Sequence, residues 1–249
     1  MNTKKYGLIG YPLGHSFSRS YFTDKFKKEG IDAEYINFEV KEPFELRNII
    51  RDNPDLCGLN VTIPHKMAVI ELLDEIDETA SAIGAVNVIK ISRDKSGNVF
   101  LNGYNTDVTG FTNSIKPLLN TVHKKVLLLG TGGVSKAISY AFKQMGLQVL
   151  QVSREKRPDT ITYKDLDEFI IKSHTVIVNA TPVGMFPHIN ESPTIPYEYI
   201  DKRHLIFDTI YNPTETMLMK LSLAQGAIVK NGLDMLEGQA VAAWGIWNK

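Results

Sequence analysis

The sequence predicts an α/β protein of two domains, and three observations carry that prediction. The first is the stretch Val126-Leu127-Leu128-Leu129-Gly130-Thr131-Gly132-Gly133-Val134-Ser135-Lys136-Ala137, an aliphatic run that stops on a glycine cluster and continues at helical spacing. The second is an alternation of strand-like and helix-like segments along the chain, with no internal repeat. The third is that residues 1–105 alternate in this way without a comparable glycine cluster, so the glycine-rich unit opens a second domain near Asn105 to Asp107.

Composition sets the class. With 249 residues, 43% of them hydrophobic, the chain can bury a substantial core, and 28 basic side chains balance 28 acidic ones without a like-charged block. Nucleic acid is therefore not expected as a partner. Cys57 is the only cysteine and the six histidines show no close ligand pairing, so neither a disulfide framework nor a metal site is expected. No segment approaches the roughly twenty apolar residues of a membrane span, and the expected location is the cytoplasm.

The elements follow in order. Tyr6 to Ile9 reads as a short strand ending at Gly10-Tyr11-Pro12, and Tyr21, Phe22 and Phe26 give a helix from Arg19 to Lys28 that Gly30 terminates. Ser16 and Ser18 then lie at a helix amino terminus, where hydroxyls either cap the helix or, with its free amides, make a small carboxylate site. Ala33 to Glu39 alternates as a strand, Phe44 to Ile50 makes a short helix, and Leu56 to Ile63 is a strand closed by Pro64. A helix is predicted from Lys66 to Ile76, carrying Met67, Val69, Ile70 and Leu73 inward. Its approach, Asn60-Val61-Thr62-Ile63-Pro64-His65-Lys66, holds more polar groups than a structural turn requires, and a lysine at a helix start opposes the dipole. Val86 to Ile91 and Val99 to Leu101 pair as a hairpin around the turn residues Asp94 to Asn98. A connecting helix from Val108 to Leu119 leads into the second domain.

There the strand ending at Leu129 has four apolar residues in a row, as a strand buried on both faces requires. Ala137, Ile138, Ala141, Phe142 and Met145 form the buried stripe of the next helix, and Gln148 to Ser153 is the following strand. This strand-helix-strand unit of about thirty residues places a phosphate site at its first turn. Gly130 permits the turn, Gly132 lets backbone amides approach a pyrophosphate, and Gly133 keeps the helix start open. At the end of the second strand, where an NAD site carries Asp or Glu, this chain has Ser153-Arg154-Glu155-Lys156-Arg157. A hydroxyl and three cations suit a ribose 2′-phosphate and hence NADP; the plain alternative is a set of solvated loop charges. Strands at Thr175 to Val178 and Leu205 to Asp208 end in the loops Asn179 to Met185 and Thr209 to Pro213, on the side where an open α/β sheet binds ligands. A helix from Thr214 to Gln225, a strand from Ala227 to Lys230 and a final helix from about Leu233 complete the chain.

In order, His15-Ser16-Phe17-Ser18, Asn60 to Lys66, Gly84-Ala85-Val86-Asn87, Gly103-Tyr104-Asn105-Thr106-Asp107, the Gly130 turn, Asn179 to Met185, Tyr211-Asn212-Pro213, and Asn231-Gly232-Leu233 through Gln239 resemble the shikimate dehydrogenase family over nearly the full length. The resemblance implies a substrate-binding α/β domain at 1–105, an NADP-binding Rossmann-type doubly wound domain at 106–232, and a final helix, 233–249, that packs back on the first. It implies an NADP-dependent interconversion of 3-dehydroshikimate and shikimate, on the route to chorismate and the aromatic amino acids, by a monomer or homodimer. Lys66 and Asp107 correspond to the catalytic pair, Ser16 and Ser18 to the carboxylate site, and Thr62, Asn87, Tyr211 and Gln239 to ligands of the ring. Gly130, Gly132, Gly133, Ser153, Arg154 and Lys156 correspond to cofactor contacts, with Thr181, Gly184 and Gly232 near the nicotinamide. The chemistry agrees: hydride reaching a carbonyl carbon puts negative charge on oxygen, which an ammonium stabilises and protonates.

Three positions depart from the pattern. Arg19 stands where proline often follows the second serine, Thr131 where alanine is usual, and Ala240 where glycine is expected. The competing readings are a quinate/shikimate dehydrogenase accepting NAD, a methylene-tetrahydrofolate type dehydrogenase, and a non-catalytic nicotinamide-sensing module.

Overall fold

A computed structural model describes residues 3–14 and 17–249, so Ser16 and its neighbour His15 lie outside the described residues. The chain divides into two compact units, Met1–Thr106 with Ala240–Lys249, and Asp107–Gln239.

The first unit is built on a six-stranded mixed sheet. Its elements are β1 (Lys4–Gly10), α1 (Phe17–Glu29), β2 (Ala33–Glu39), α2 (Leu46–Asp52), β3 (Leu56–Val61), β4 (Glu75–Ile76), α3 (Glu78–Ile83), β5 (Val88–Arg93) and β6 (Val99–Tyr104), with strand order β2-β1-β3-β5-β6-β4. Strands β2, β1 and β3 are parallel because helices connect them. The tight turn at Asp94–Asn98 makes β5 and β6 antiparallel: Asp94 Oδ1 accepts from the amides of Ser96 (2.8 Å) and Asn98 (2.9 Å), and Gly97 takes φ +85°. One sheet face buries Ile9, Leu59, Val61 and Ile89. The other packs Tyr6, Leu8, Tyr35 and Val88 against α1 and the end of the last helix, where the Trp247 indole donates to the Ile89 carbonyl at 3.1 Å. A Cβ on Gly58 would sit 2.3 Å from that ring, so the strand admits Trp247 only where it has no side chain.

The helix expected from Lys66 to Ile76 is not formed. A turn through Lys66 runs into a 3₁₀ segment, Ala68–Leu72, and the chain then extends at Leu73 to become β4. The cause is capture by β6: Asp74 donates its amide to the Leu101 carbonyl (3.0 Å), and its carboxylate accepts the Leu101 amide (2.7 Å). Val69 is buried and Ile70 and Leu73 pack on the core as expected, but Met67 is 45% exposed. A short helix that the sequence reading missed, α3, had a legible signal. Asp77 caps the amides of Thr79 and Ala80, and Gly84 ends the helix in the left-handed region at φ +68°.

The second unit holds α4 (Asp107–Ile115), β7 (Lys125–Leu129), α5 (Gly133–Gln144), β8 (Gln148–Ser153), β9 (Thr160–Thr162), α6 (Glu168–Ser173), β10 (Val176–Asn179), β11 (Leu205–Asp208), α7 (Met217–Ala224) and β12 (Ile228–Lys230). The last helix, α8 (Leu233–Trp247), begins in this unit and ends in the first. All six strands are parallel in the order β12-β11-β10-β7-β8-β9, the doubly wound Rossmann arrangement. Alternate residues of β7 serve opposite cores. Val126 and Leu128 pack with Phe111, Ile138 and Phe142, while Leu127 and Leu129 pack with Ile177, Ile206 and Leu218. Each such side chain contributes about 1.5–3 kcal/mol of burial, which is why the strand reads as an unbroken aliphatic run. The chain reverses its winding between β7 and β10, and the loops beyond their carboxyl ends face the crevice that this reversal opens.

Candidate active site

In the first unit, polar groups gather where β3 ends and β5 begins. The Lys66 carbonyl accepts the Val86 amide at 2.7 Å, and the Asn87 carbonyl accepts the Val61 amide at 2.8 Å. These backbone bonds set the lysine turn beside the asparagine loop. Lys66 is only 8% exposed, a depth at which a lysine requires polar compensation. Asn87 is fixed by Thr106, whose amide donates to Asn87 Oδ1 at 2.7 Å while its hydroxyl lies 3.1 Å from Asn87 Nδ2. Asn105 donates to the Ala85 carbonyl at 2.9 Å, so the whole Asn-Thr pair is tied to the Ala85–Asn87 loop. Thr62 is half-buried, with its amide held by the Ile9 carbonyl.

Ser18, half-buried in the first turn of α1, hydrogen-bonds the Tyr35 hydroxyl, which itself donates to Asn60 Oδ1 at 2.7 Å. Burial drives the Tyr35 phenol far above the usual tyrosine range, so it is a neutral donor. Sequence reasoning singled out Ser18 and gave no role to Tyr35 or Thr106; in sequence Tyr35 is an ordinary residue within a strand and Thr106 one polar residue of the turn between β6 and the next helix. Arg19 is exposed and lines a surface groove with Thr23, Lys27 and Asp32.

In the second unit, Asp107 heads α4 at 1% exposure, where a carboxylate is favoured by the helix amino terminus. Gln239, half-buried on α8, lies beside Gly110 of α4, where a Cβ would come within 2.9 Å of the Gln239 amide nitrogen.

The glycine turn fits a dinucleotide. Gly130 has φ +112°, and a Cβ there would lie 3.0 Å from both the Ala180 carbonyl and Thr181, so the turn is pressed against the loop after β10. Gly132 caps α5 without a side-chain partner and faces open space, leaving the first-turn amides available to an anion. Ser135 is fully buried beneath this turn, and its hydroxyl has no hydrogen-bond partner among the described residues. Ser153, the last residue of β8, is buried; beyond it Arg154 and Lys156 are exposed, and Arg157 reaches back so that Nη1 donates to Thr131 Oγ1 at 3.4 Å. Arg157 thus lies over the glycine turn, a placement that spacing alone did not single out.

The third group surrounds Asp208, the charged residue that ends the otherwise apolar β11. It is fully buried and accepts from Thr216 Oγ1 (2.7 Å), Asn179 Nδ2 (3.0 Å) and the Ile210 amide (3.0 Å). Burial pushes its carboxyl up to about 6 against these hydrogen bonds. The unfolded chain releases this proton from about pH 4, so the contribution of Asp208 to stability is complete below that pH and declines as pH rises toward 6. Around it lie Thr181, Gly184 and the half-buried Tyr211, and Gly232 approaches so closely that a Cβ would meet the Thr209 carbonyl oxygen at 2.2 Å. The structure therefore groups Thr181, Gly184, Tyr211 and Gly232, all singled out separately in sequence.

The family model described as the shikimate dehydrogenase substrate binding domain matches residues 8–89. Over 98% of its length the chain is 38% identical to the NADP(+) shikimate dehydrogenase of Methanococcus maripaludis strain C7, and the match spans 91% of that relative. The crystal structure of shikimate dehydrogenase from Aquifex aeolicus superposes with a TM-score of 0.86 at 36% identity, covering 99% of this chain and 92% of that one. The Thermus thermophilus shikimate 5-dehydrogenase solved with NADP(H) and shikimate gives a TM-score of 0.83 at 26% identity, covering 98% and 93%.

Proposed function

Since the chain belongs to the shikimate dehydrogenase family, we propose that it interconverts 3-dehydroshikimate and shikimate with NADP, using Lys66 and Asp107 at the reacting oxygen. In this reading the unit of Met1–Thr106 takes the substrate and that of Asp107–Gln239 takes the nucleotide. The observation that supports it best is the coexistence in one chain of a buried neutral hydrogen-bonding set beside Lys66 and an uncapped glycine turn at the switch point of a doubly wound sheet.

A small carboxylate bearing hydroxyls needs donors and acceptors more than apolar area. Ser16 and Ser18 take the carboxylate, and Tyr35 orients the second of them. Thr62, Asn87, Tyr211 and Gln239 hold ring hydroxyls, and the Thr106 bonds keep the Asn87 amide in one orientation. Bound NADPH supplies a hydride to the substrate carbonyl carbon. Lys66 stabilises the charge that develops on oxygen and delivers the proton, and Asp107 orients the ammonium. Gly130, Gly132 and Gly133 bring amides to the pyrophosphate, and Ser153, Arg154 and Lys156 meet the 2′-phosphate. Thr181, Gly184 and Gly232 line the nicotinamide. The reaction is a cytoplasmic step toward chorismate and the aromatic amino acids.

Nicotinamide absorbance measured with shikimate or quinate, each with NADP or NAD, tests the assignment. Turnover confined to shikimate with NADP is the expected result; a preference for quinate or for NAD rejects it. Arg154→Ala should raise the KM for NADP about 10- to 100-fold, the worth of a charge-assisted phosphate contact, and leave the KM for NAD unchanged. Equal effects on both cofactors would remove Arg154 from the 2′-phosphate site.

A further inference from the structure

We infer that Asp208 is a positioning residue that couples the nicotinamide loop to the substrate residue Tyr211 by holding both loops on one buried carboxylate. The inference rests on the proposed roles of Thr181 and Tyr211, and it adds a residue that touches neither ligand.

The argument begins with Asn179, whose hydrogen-bonding capacity is fully used. Its Nδ2 donates to Asp208 Oδ1 (3.0 Å) and to the Val183 carbonyl (3.3 Å), while its Oδ1 accepts from the Thr181 amide (3.0 Å) and the Thr181 hydroxyl (2.6 Å). An amide is nearly symmetric in shape, so something must decide which end faces Thr181. The Thr181 amide, which only donates, decides it together with two groups that only accept, the Val183 carbonyl and Asp208, and Asp208 gives the shorter of the two acceptor contacts. With the amide fixed, the loop Asn179–Val183 is fixed, because Thr181 Oγ1 in turn accepts the Val183 amide at 3.3 Å.

The same oxygen, Oδ1, accepts the Ile210 amide at 3.0 Å, and Ile210 immediately precedes Tyr211. The other oxygen is held by the Thr216 hydroxyl at the cap of α7 (2.7 Å), which prevents the carboxylate from rotating away. Backbone bonds close the assembly. The Thr209 amide donates to the Asn179 carbonyl (3.0 Å), the Gly232 amide to the Ile210 carbonyl (3.0 Å), and the Phe186 amide to the Asn212 carbonyl (3.2 Å). A displacement of the carboxylate therefore moves Thr181 and Tyr211 together.

The test compares Asp208→Ala, which removes all three acceptor contacts, with Asp208→Asn. The asparagine keeps an oxygen toward Asn179 and Ile210 and turns its amide toward Thr216 Oγ1, which can accept. NADP affinity is read by fluorescence titration without substrate, alongside the KM for shikimate, kcat and the melting temperature. A folded Asp208→Ala variant is expected to raise both the NADP Kd and the shikimate KM about tenfold, with a smaller fall in kcat and most of the loss restored in Asp208→Asn. Both constants within twofold of the parent protein, a change in only one of them, or an Asp208→Asn variant as impaired as Asp208→Ala overturns the inference. Should Asp208→Ala fail to fold, Thr216→Val decides instead. It removes the hydroxyl that fixes Oδ2 and that also caps α7 by accepting the Met219 amide, so the melting temperature is read alongside; in a folded variant, threefold rises in both constants support the coupling while unchanged constants overturn it. If the parent protein binds NADP but does not turn over shikimate, the substrate reading fails separately; the coupling to Tyr211 falls with it, while the effect of Asp208 on NADP affinity is still measured.

Discussion

Lys66→Ala is expected to lower kcat for shikimate oxidation by about 10²–10⁴-fold, the range for loss of a positioned proton-transfer group, while the KM for shikimate rises less than tenfold. The split follows from where the charge is needed. In the proposed site shikimate is held by many neutral groups, so losing one ammonium would weaken ground-state binding modestly, whereas the developing oxyanion would lose its main stabiliser. Folding should survive, because the lysine turn is anchored through backbone atoms: the Lys66 carbonyl accepts the Val86 amide at 2.7 Å whatever the side chain. Steady-state kinetics with a melting curve for each protein make the check. A variant with full turnover rejects Lys66 as the proton carrier, and one that has lost binding and kcat equally through unfolding shows in the melt.

Gly110→Ala is expected to be the most damaging of the conservative glycine replacements in the helices. A methyl at Gly110 would lie 2.3 Å from the Met235 carbonyl oxygen and 2.9 Å from the Gln239 amide nitrogen, both backbone atoms of α8 that cannot swing aside. Overpacking of this kind costs about 1–3 kcal/mol or more, and alanine's better helix propensity returns at most about 1 kcal/mol. A net loss of about 2 kcal/mol lowers the melting temperature by about 5 °C in a chain of this size. Gly245→Ala, on the same α8 but with nothing within 4 Å of the added methyl, should instead be neutral or raise it. Thermal melts of the two variants test the contrast; equal shifts would show that helix propensity, not the α4–α8 contact, governs both sites. Since Gln239, proposed above as a ring ligand, sits at this contact, Gly110→Ala should also weaken shikimate binding.

Much of the fold was legible because local signals and tertiary demands coincide. The run Val126–Leu129 announced a strand buried on both faces, and the structure places its alternate side chains in two separate cores. Strands Gln148–Ser153 and Leu205–Asp208 have the bounds that the sequence suggested. The segment after Lys66 was misread because its apolar spacing fits a helix, while the competing partner, the Leu101 backbone, is distant in sequence. The short elements Thr160–Thr162 and Glu168–Ser173 went unread, although Asp167 marks the second by capping the Ile170 amide at 2.8 Å.

The candidate site divides in the same way. Sequence by itself determined the two-domain α/β class, the glycine turn with its basic run beyond the second strand, and the order of motifs that marks the family, because each is a contiguous pattern with a local physical cause. Only the tertiary structure decided that Thr106 orients Asn87, that Tyr35 engages Ser18, that Arg157 reaches Thr131, and that Asp208 gathers Asn179, Ile210 and Thr216. Those pairings join residues up to 29 positions apart, and apart from the exposed Arg157–Thr131 contact they are made where the chain is packed, an unpaired polar group is costly and partners are chosen by proximity in space.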